Sequence, residues 1–121
     1  FLKSSPADLL GKPDDYNSYT SQIRQYIGRD LREELPDFEM VSSKLNLSPQ
    51  TLRRRLKEEN TSYQEIKDNI RRDQAIYHLN RNDFSINEIA YRVGFTEPST
   101  FHRAFKKWTN LTPGAYRQGE R

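Results

Sequence analysis

The chain has 121 residues, 33% hydrophobic and 31% charged, which is enough for one domain, or two very small ones, around a small core. It has no cysteine and no run of the roughly 18 apolar residues that a membrane helix needs, which excludes disulfides, thiolate catalysis, cysteine-ligated metals and a membrane partner. The net charge of +3 is unevenly placed: residues 1–47 carry 6 Lys/Arg against 8 Asp/Glu and residues 48–121 carry 14 against 9, which favours a polyanionic partner for the second part.

Residues 1–15 combine two prolines and a glycine with the pair Asp14–Asp15, a composition typical of a linker or tail. Because the chain begins at Phe1, we expect this tail to lead in from a missing N-terminal domain. From Asn17 to Leu35, apolar residues recur at three- and four-residue steps, which predicts an amphipathic helix. We expect Pro36 to close it, since the residue before a proline disfavours the helical conformation.

The rest of the chain carries the start and stop signals of short helices. Side chains that can cap a helix N-terminus precede five predicted helices: Asp37, Ser48, Ser62, Ser85 and Thr112. The second and third of these serines are followed by glutamate three residues later, as in a capping box. Residues that tolerate the left-handed conformation mark the predicted helix ends: Asn46, Asn60, Asn80, Gly94 and Asn110. No useful β-type alternation is present, so the sequence predicts an all-α fold.

An internal repeat organises these helices. Val41–Ser48 aligns with Ile89–Thr96 at an offset of 48, and Pro49–Lys57 aligns with Pro98–Lys106 at an offset of 49. Each copy predicts a short helix, a tight turn and a second helix, which is the helix-turn-helix plan.

The second helix of each copy has one apolar and one polar face. In the first copy Leu52 and Leu56 share the inner face, and the outer face carries Gln50, Arg53, Arg54 and Lys57. In the second copy Phe101, Phe105 and Trp108 lie inside, and the outer face carries Ser99, His102, Arg103 and Lys106. Arginine suits guanine, glutamine suits adenine and lysine suits phosphate, so these faces predict major-groove recognition. Arg55 falls nearer the core edge and is assigned to packing or phosphate contact.

A polar outer face is expected of any soluble helix, so these faces are also compatible with functions other than DNA binding. One alternative is a helical protein-interaction module that binds an acidic partner through its basic faces. RNA binding is a weaker alternative, since the aromatic residues lie on inward faces rather than on stacking platforms. His78 and His102 lie on different predicted helices without metal-ligand spacing, and no glycine-rich phosphate loop is present. We therefore expect no catalytic site, cofactor or metal.

The second copy and the segment after it resemble the signature of the AraC/XylS transcription regulators, in Ile89–Ala90, Gly94–Phe95, Phe101, Arg103, Phe105–Lys107 and Thr112–Arg117. The resemblance extends from about residue 20 to residue 118. It implies two homeodomain-like helix-turn-helix units, at residues 16–61 and 81–121. A long central helix, at about Ser62 to Leu79 within residues 62–80, would join them. The two recognition helices would enter successive major grooves on one face of the DNA.

Carried over by position, the resemblance implies base contacts from Gln50, Arg53, Arg54, Ser99, His102 and Arg103. We assign phosphate contacts to Lys44, Ser48, Thr51, Lys57, Thr96, Thr100, Lys106 and Lys107. The module would bind asymmetric sites in double-stranded DNA as a monomer. The implied partners are RNA polymerase and an N-terminal domain that senses an effector or dimerises. The resemblance further implies transcription activation on the nucleoid, in the bacterial cytoplasm.

Three positions depart from the family pattern. Asn110 stands where a glycine is usual, and asparagine also accepts a left-handed turn. His78 stands where leucine is frequent, and we expect a buried or partly exposed structural residue there rather than a ligand. Pro98 replaces a side chain that can form hydrogen bonds, so the second recognition helix is expected to read fewer bases than the first.

Overall fold

The computed structural model of the protein describes residues 18–119, which form seven α-helices. The helices are α1 (Tyr19–Ile27), α2 (Phe38–Lys44), α3 (Pro49–Glu58), α4 (Tyr63–Arg81), α5 (Ile86–Arg92), α6 (Pro98–Thr109) and α7 (Pro113–Arg117). No strand occurs within residues 18–119, so the all-α prediction is confirmed. Nor does any helix in that range have the length and apolar character needed to cross a membrane. The predicted linker at residues 1–15 lies outside the described residues.

Local signals set the start of most helices. All five predicted caps are confirmed, and their side-chain oxygens accept a hydrogen bond from a first-turn N–H at 2.8 to 3.2 Å, in Asp37, Ser48, Ser62, Ser85 and Thr112. Each bond satisfies a backbone donor that has no partner inside its helix. The carboxylate of Glu88, three residues after its cap, also accepts a hydrogen bond from Arg92 Nε at 2.9 Å.

Positive φ angles mark most of the predicted helix ends. Asn46, Asn60, Gly94 and Asn110 have φ angles of 62°, 63°, 104° and 67°. The predicted end at Asn80 is wrong, because α4 continues to Arg81 and Asn82 takes the left-handed conformation at φ 59°. Asn80 and Asn82 are both residues that can adopt the left-handed conformation at the end of a helix. The longer helix brings Arg81 Nε to 2.8 Å from an Asp83 carboxylate oxygen.

The helix predicted from Asn17 to Leu35 is much shorter in the structure, where α1 ends at Ile27. Gly28 ends it at φ 74°, with its N–H donating to the Arg24 carbonyl at 3.1 Å. Glycine adopts this φ without the steric cost that a Cβ carries. Pro36 therefore lies about two helical turns beyond the actual end of α1. Asn17 lies outside the described residues.

Residues 28–37 form an irregular segment, named here the α1–α2 loop, that lies against α4. The Arg29 carbonyl accepts a hydrogen bond from Gln74 Nε2 at 2.7 Å, and the Pro36 carbonyl accepts one from the Tyr63 hydroxyl at 2.5 Å. Leu31, between these two points, is 1% exposed. Tertiary contacts with α4 thus replace the helical hydrogen bonds that the apolar spacing predicted.

The helices form two helix-turn-helix units on a shared central helix. The first unit comprises α1–α3 and the second comprises α5–α7, while α4 packs against α1, α5 and α7. One hydrophobic core runs through both, because α4 contributes Ile66, Ile70, Ala75 and Leu79 to it. The polar outer faces of α3 and α6 are held in place by side chains buried in this core.

Candidate nucleic-acid interface

The outer face of α3 presents its predicted polar side chains to solvent. Leu52 and Leu56 on the inner face are 0% and 1% exposed. The outer face is exposed at Gln50, Arg53, Arg54 and Lys57. The buried pair fixes the rotation of α3 about its axis, so the amide and the three cations point away from the core.

The three consecutive arginines of α3 differ in their surroundings. The Arg53 guanidinium lies over the Phe38 ring, 5.2 Å from its centroid. Arg55 is exposed and pairs with Glu58 at 3.7 Å, so its expected place near the core edge is wrong. Within residues 18–119, Arg54 has no hydrogen-bond or ion-pair partner. Arg54 therefore has the fewest contacts to lose on meeting a ligand.

The outer face of α6 is similar in charge but differs at one position. Phe101 and Phe105 are 0% exposed and anchor the helix, while Ser99, Arg103 and Lys106 are exposed. His102 is half-buried, with its ring edge-on to Phe101 at a centroid distance of 6.1 Å. The imidazole is thus partly held against the core rather than extended into solvent.

The starts of α3 and α6 are not equivalent. Residues 45–48 link α2 to α3, whereas residues 93–97 link α5 to α6 and make a turn one residue longer. The cap therefore moves to Glu97, whose side chain makes no capping hydrogen bond, and Thr96 does not cap α6 as Ser48 caps α3. The Ser48 hydroxyl also donates to Thr51 Oγ1 at 2.9 Å, so both hydroxyls are already engaged.

The predicted phosphate contacts are accessible in most cases. Thr51 is half-buried, whereas solvent reaches Lys44, Ser48, Lys57, Thr96, Thr100, Lys106 and Lys107. The Lys44 ammonium lies 5.7 Å from the centroid of the Tyr26 ring, which holds it near the start of the α1–α2 loop.

Glu59, which sequence reasoning did not single out, ties the end of α3 to the start of α1. Its carboxylate accepts hydrogen bonds from the N–H groups of Tyr19 and Thr20, each at 2.9 Å, and from the Thr20 hydroxyl at 2.6 Å. These contacts satisfy two donors of the first turn of α1 and fix the C-terminal end of α3. No local pattern signals this contact, since its partners lie 39 and 40 positions away.

The two histidines do not form a metal site. Residues 18–119 contain no group of three or more His, Asp or Glu side chains arranged to hold a metal ion. His78 is half-buried between the rings of Tyr77 and Phe84, and its Nδ1 is buried with no hydrogen-bond partner among these residues. Burial lowers the pKa of His78 from 6.5, and the positive charges of Arg92 and Arg81 act in the same direction.

Comparison with known proteins gives concordant matches. A family model described as a helix-turn-helix domain matches residues 41–119. The ornithine utilization regulator of Pseudomonas aeruginosa is 38% identical over 85 residues, which cover 70% of this chain and 25% of that protein. A DNA-binding transcriptional dual regulator from Escherichia coli K-12 has a similar crystal structure, with a TM-score of 0.76 and 25% identity over 86% of this chain and 95% of that one.

A third match was solved with a ligand present. The DNA-binding domain of AdpA, a global transcriptional factor crystallised in complex with a target DNA, superimposes with a TM-score of 0.71 at 25% identity. The similarity covers 86% of this chain and 94% of that one. The present chain spans a quarter of the length of the ornithine utilization regulator, so it corresponds to one part of such a protein.

Proposed function

The chain belongs to the AraC-type family of helix-turn-helix transcription regulators, and from that premise we propose that it binds double-stranded DNA in a sequence-specific way. In this proposal α3 and α6 each enter the major groove and present their outer faces to the base edges. The likeness to a DNA-binding domain solved on its target supports this function.

One observation carries the proposal: the two second helices expose matched sets of hydrogen-bond donors. Each helix is oriented by two fully buried side chains, Leu52 and Leu56 in α3, Phe101 and Phe105 in α6. The side chains thus aimed outward include arginine, which meets guanine bidentately, and glutamine, which pairs in the same way with adenine. An acidic protein partner would not require this duplicated arrangement.

We assign unequal roles to the two helices. Gln50, Arg53 and Arg54 on α3 would read bases, with Arg54 contributing more than Arg53 because the Arg53 guanidinium is held over the Phe38 ring and Arg54 has no such contact within the described residues. On α6 the readers would be Ser99, Arg103 and the half-buried His102. Because α6 has no side-chain cap at Glu97 and holds its histidine against Phe101, it would contribute more to position than to discrimination.

Backbone contacts would come from side chains around the two helices. Lys57, Lys106 and Lys107 supply positive charge beside the base-reading positions, and the remaining phosphate contacts are assigned to Lys44, Ser48, Thr51, Thr96 and Thr100. Such contacts position a protein on the duplex without reading its sequence.

We extend the proposal to the whole regulator in the terms of its family. The two recognition helices would occupy successive major grooves on one face of an asymmetric site. An N-terminal domain would sense an effector or dimerise, and contact with RNA polymerase on the nucleoid, in the bacterial cytoplasm, would activate transcription.

Selection of bound duplexes from a random pool tests the proposed function directly. We expect two preferred blocks about one helical turn apart, with affinity that falls steeply as salt rises. Enrichment of a single block would contradict the entry of both helices. Tight binding to an acidic protein, with no binding to any duplex at low salt, would favour the interaction-module alternative instead.

A further inference from the structure

The α1–α2 loop of the first unit touches the turn of the second unit at Gly94. A Cβ added at Gly94 would lie 2.7 Å from the carbonyl oxygen of Leu31 and 3.3 Å from Arg71 Nε. The nearer atom is backbone and cannot swing away, and Leu31 itself is 1% exposed. The two units therefore meet in a close backbone contact besides their shared packing on α4.

The φ angle of the second turn favours glycine in addition to this contact. Asn46 occupies the equivalent position in the first copy and makes its turn at φ 62°. Gly94 makes the turn at φ 104°, with a backbone carbonyl where a side chain would otherwise stand. The second turn thus differs from the first in its φ angle and in the approach of the α1–α2 loop.

Arg71 of α4 lies at the same junction and contacts the second unit. Its Nε donates a hydrogen bond to the Val93 carbonyl at 3.2 Å, and its guanidinium lies 6.0 Å from the centroid of the Phe95 ring. Burial lowers the pKa of Arg71 from its ordinary value, and Asp68 acts in the opposite direction. The side chain is thus partly withdrawn from water to hold the residues on both sides of Gly94.

Gln74, one turn further along the same face of α4, contacts the first unit. Its Nε2 donates a hydrogen bond to the Arg29 carbonyl at 2.7 Å, two residues before Leu31. One face of α4 therefore binds the α1–α2 loop through Gln74 and the second turn through Arg71. The contact between Leu31 and Gly94 lies where these two attachments meet.

We propose that Arg71, Gln74 and the Leu31–Gly94 contact form an interunit clamp that holds the two recognition helices in one relative orientation. In DNA binding the clamp makes Arg71 a positioning residue that sets which spacing between two base blocks the chain accepts. This second statement rests on the proposed function, whereas the first concerns the protein alone.

The clamp matters because α4 by itself is a long lever. Its 19 residues span about 28 Å, so a small bend would move one recognition helix far relative to the other. Inserting one base pair between two blocks turns the second by roughly 35° about the DNA axis. Two units held by the clamp cannot follow that rotation. The chain then loses the gain in affinity from binding both blocks at once, which is on the order of 10²-fold or more for linked modules.

A distance measurement between the units tests the clamp without DNA. The chain has no cysteine, so spin labels can be placed through Glu39→Cys on α2 and Asn87→Cys on α5, both exposed positions. We expect one narrow distance distribution for the parent and a broader one for Arg71→Ala. The matched control is Arg72→Ala, because the Arg72 guanidinium pairs with the adjacent Asp73 at 3.0 Å on the same helix. Equally narrow distributions in all three proteins would overturn the clamp.

Binding to duplexes of altered spacing tests the consequence for recognition. The probes are duplexes carrying the two selected blocks with zero, one or two base pairs inserted between them. We expect the parent to lose on the order of 10²-fold in affinity upon insertion, and Arg71→Ala to lose less than about 10-fold from a weaker starting affinity. Equal losses in parent and variant would refute the spacing role. Failure of every duplex to bind would instead refute the proposed function and leave the distance measurement standing.

Gly94→Ala provides a second variant that leaves the arginine in place. We expect it to broaden the label distances as Arg71→Ala does, because the added Cβ forces the α1–α2 loop away. Gly119→Ala is the control for backbone strain, since Gly119 also has positive φ, at 88°, and an added Cβ meets nothing within 4 Å. Circular dichroism shows whether each variant remains helical. A folded Gly94→Ala protein with the parent's distances would contradict the proposal.

Discussion

Glu59 and Thr20 are joined by two hydrogen bonds across 39 positions of sequence, one from the Thr20 hydroxyl at 2.6 Å and one from its N–H at 2.9 Å. One carboxylate thus caps α1 and anchors the end of α3. A single side chain couples the stability of one helix to the placement of another.

Glu59→Gln should lower the free energy of unfolding by about 1–3 kcal/mol, because an amide offers one acceptor oxygen where the carboxylate offers two. Urea denaturation measures the change. The control is Glu58→Gln, whose parent carboxylate is exposed and pairs only loosely with Arg55 at 3.7 Å. That variant should change stability by less than about 0.5 kcal/mol. Equal effects of the two changes would show that the anchor to α1 contributes little.

Arg54→Ala should reduce the preference for the selected DNA sequence by about 1–3 kcal/mol, with the loss confined to one or two base positions. Arg103→Ala should do the same at positions in the other block. Competition binding with duplexes mutated at single base pairs measures both effects. Arg55→Ala is the control, since its guanidinium pairs with Glu58, and it should leave base preference unchanged. Unaltered preference in both Arg54→Ala and Arg103→Ala would remove these residues from base reading.

Lys107→Gln should weaken binding to every duplex to a similar degree, because a phosphate contact does not depend on sequence. The slope of log affinity against log salt should become shallower by about 1. Arg81→Gln serves as the comparison, since Arg81 lies at the end of α4 and pairs with Asp83 at 2.8 Å. A slope that changes as much in this variant would mean that the salt dependence reports net charge rather than a phosphate contact.

The stability of the protein should rise with pH through the range just below pH 6.5, because the folded state lowers the pKa of His78. In that range the unfolded chain binds a proton that the folded protein does not. The contribution of the neutral imidazole is therefore complete above pH 6.5 and is lost as the pH falls through the lowered folded pKa. Urea denaturation at several pH values measures the change in stability, and NMR titration of the imidazole measures the pKa of His78 in the folded protein.

His78→Leu should remove the pH dependence assigned to His78 and raise stability at pH 7 by about 1 kcal/mol, because Nδ1 is buried without a partner among residues 18–119. The other histidine, His102, remains in this variant as an internal control. A pH profile that is unchanged by His78→Leu would assign the dependence to other groups.

Features determined by neighbouring residues could be predicted from the sequence. The caps at Ser48 and Thr112 and the left-handed turns at Asn46 and Asn60 each depend on hydrogen bonds or φ angles within a few residues. The helical spacing of apolar residues likewise predicted which faces of α3 and α6 are buried.

The errors arose where distant parts of the chain decide the structure. The α1–α2 loop has the apolar spacing of a helix, yet its Arg29 and Pro36 carbonyls bond to α4 side chains far along the sequence. Glu59 and Arg71 were not predicted as key residues for the same reason, since nothing beside them in sequence identifies their partners. The change of the repeat offset from 48 to 49 shows one extra residue before α6. Only the structure shows that this residue moves the cap of α6 to Glu97.

The contact between Leu31 and Gly94 also limits which second units this chain could accept in exchange for its own. A second unit grafted from a relative would fit this first unit only if it brought a glycine at position 94 and met an arginine at position 71. The α1–α2 loop, α4 and the second turn would have to be inherited together. Exchange of α3 or α6 alone would leave these contacts intact, whereas a crossover within α4 would preserve them only if the incoming second unit carried the glycine.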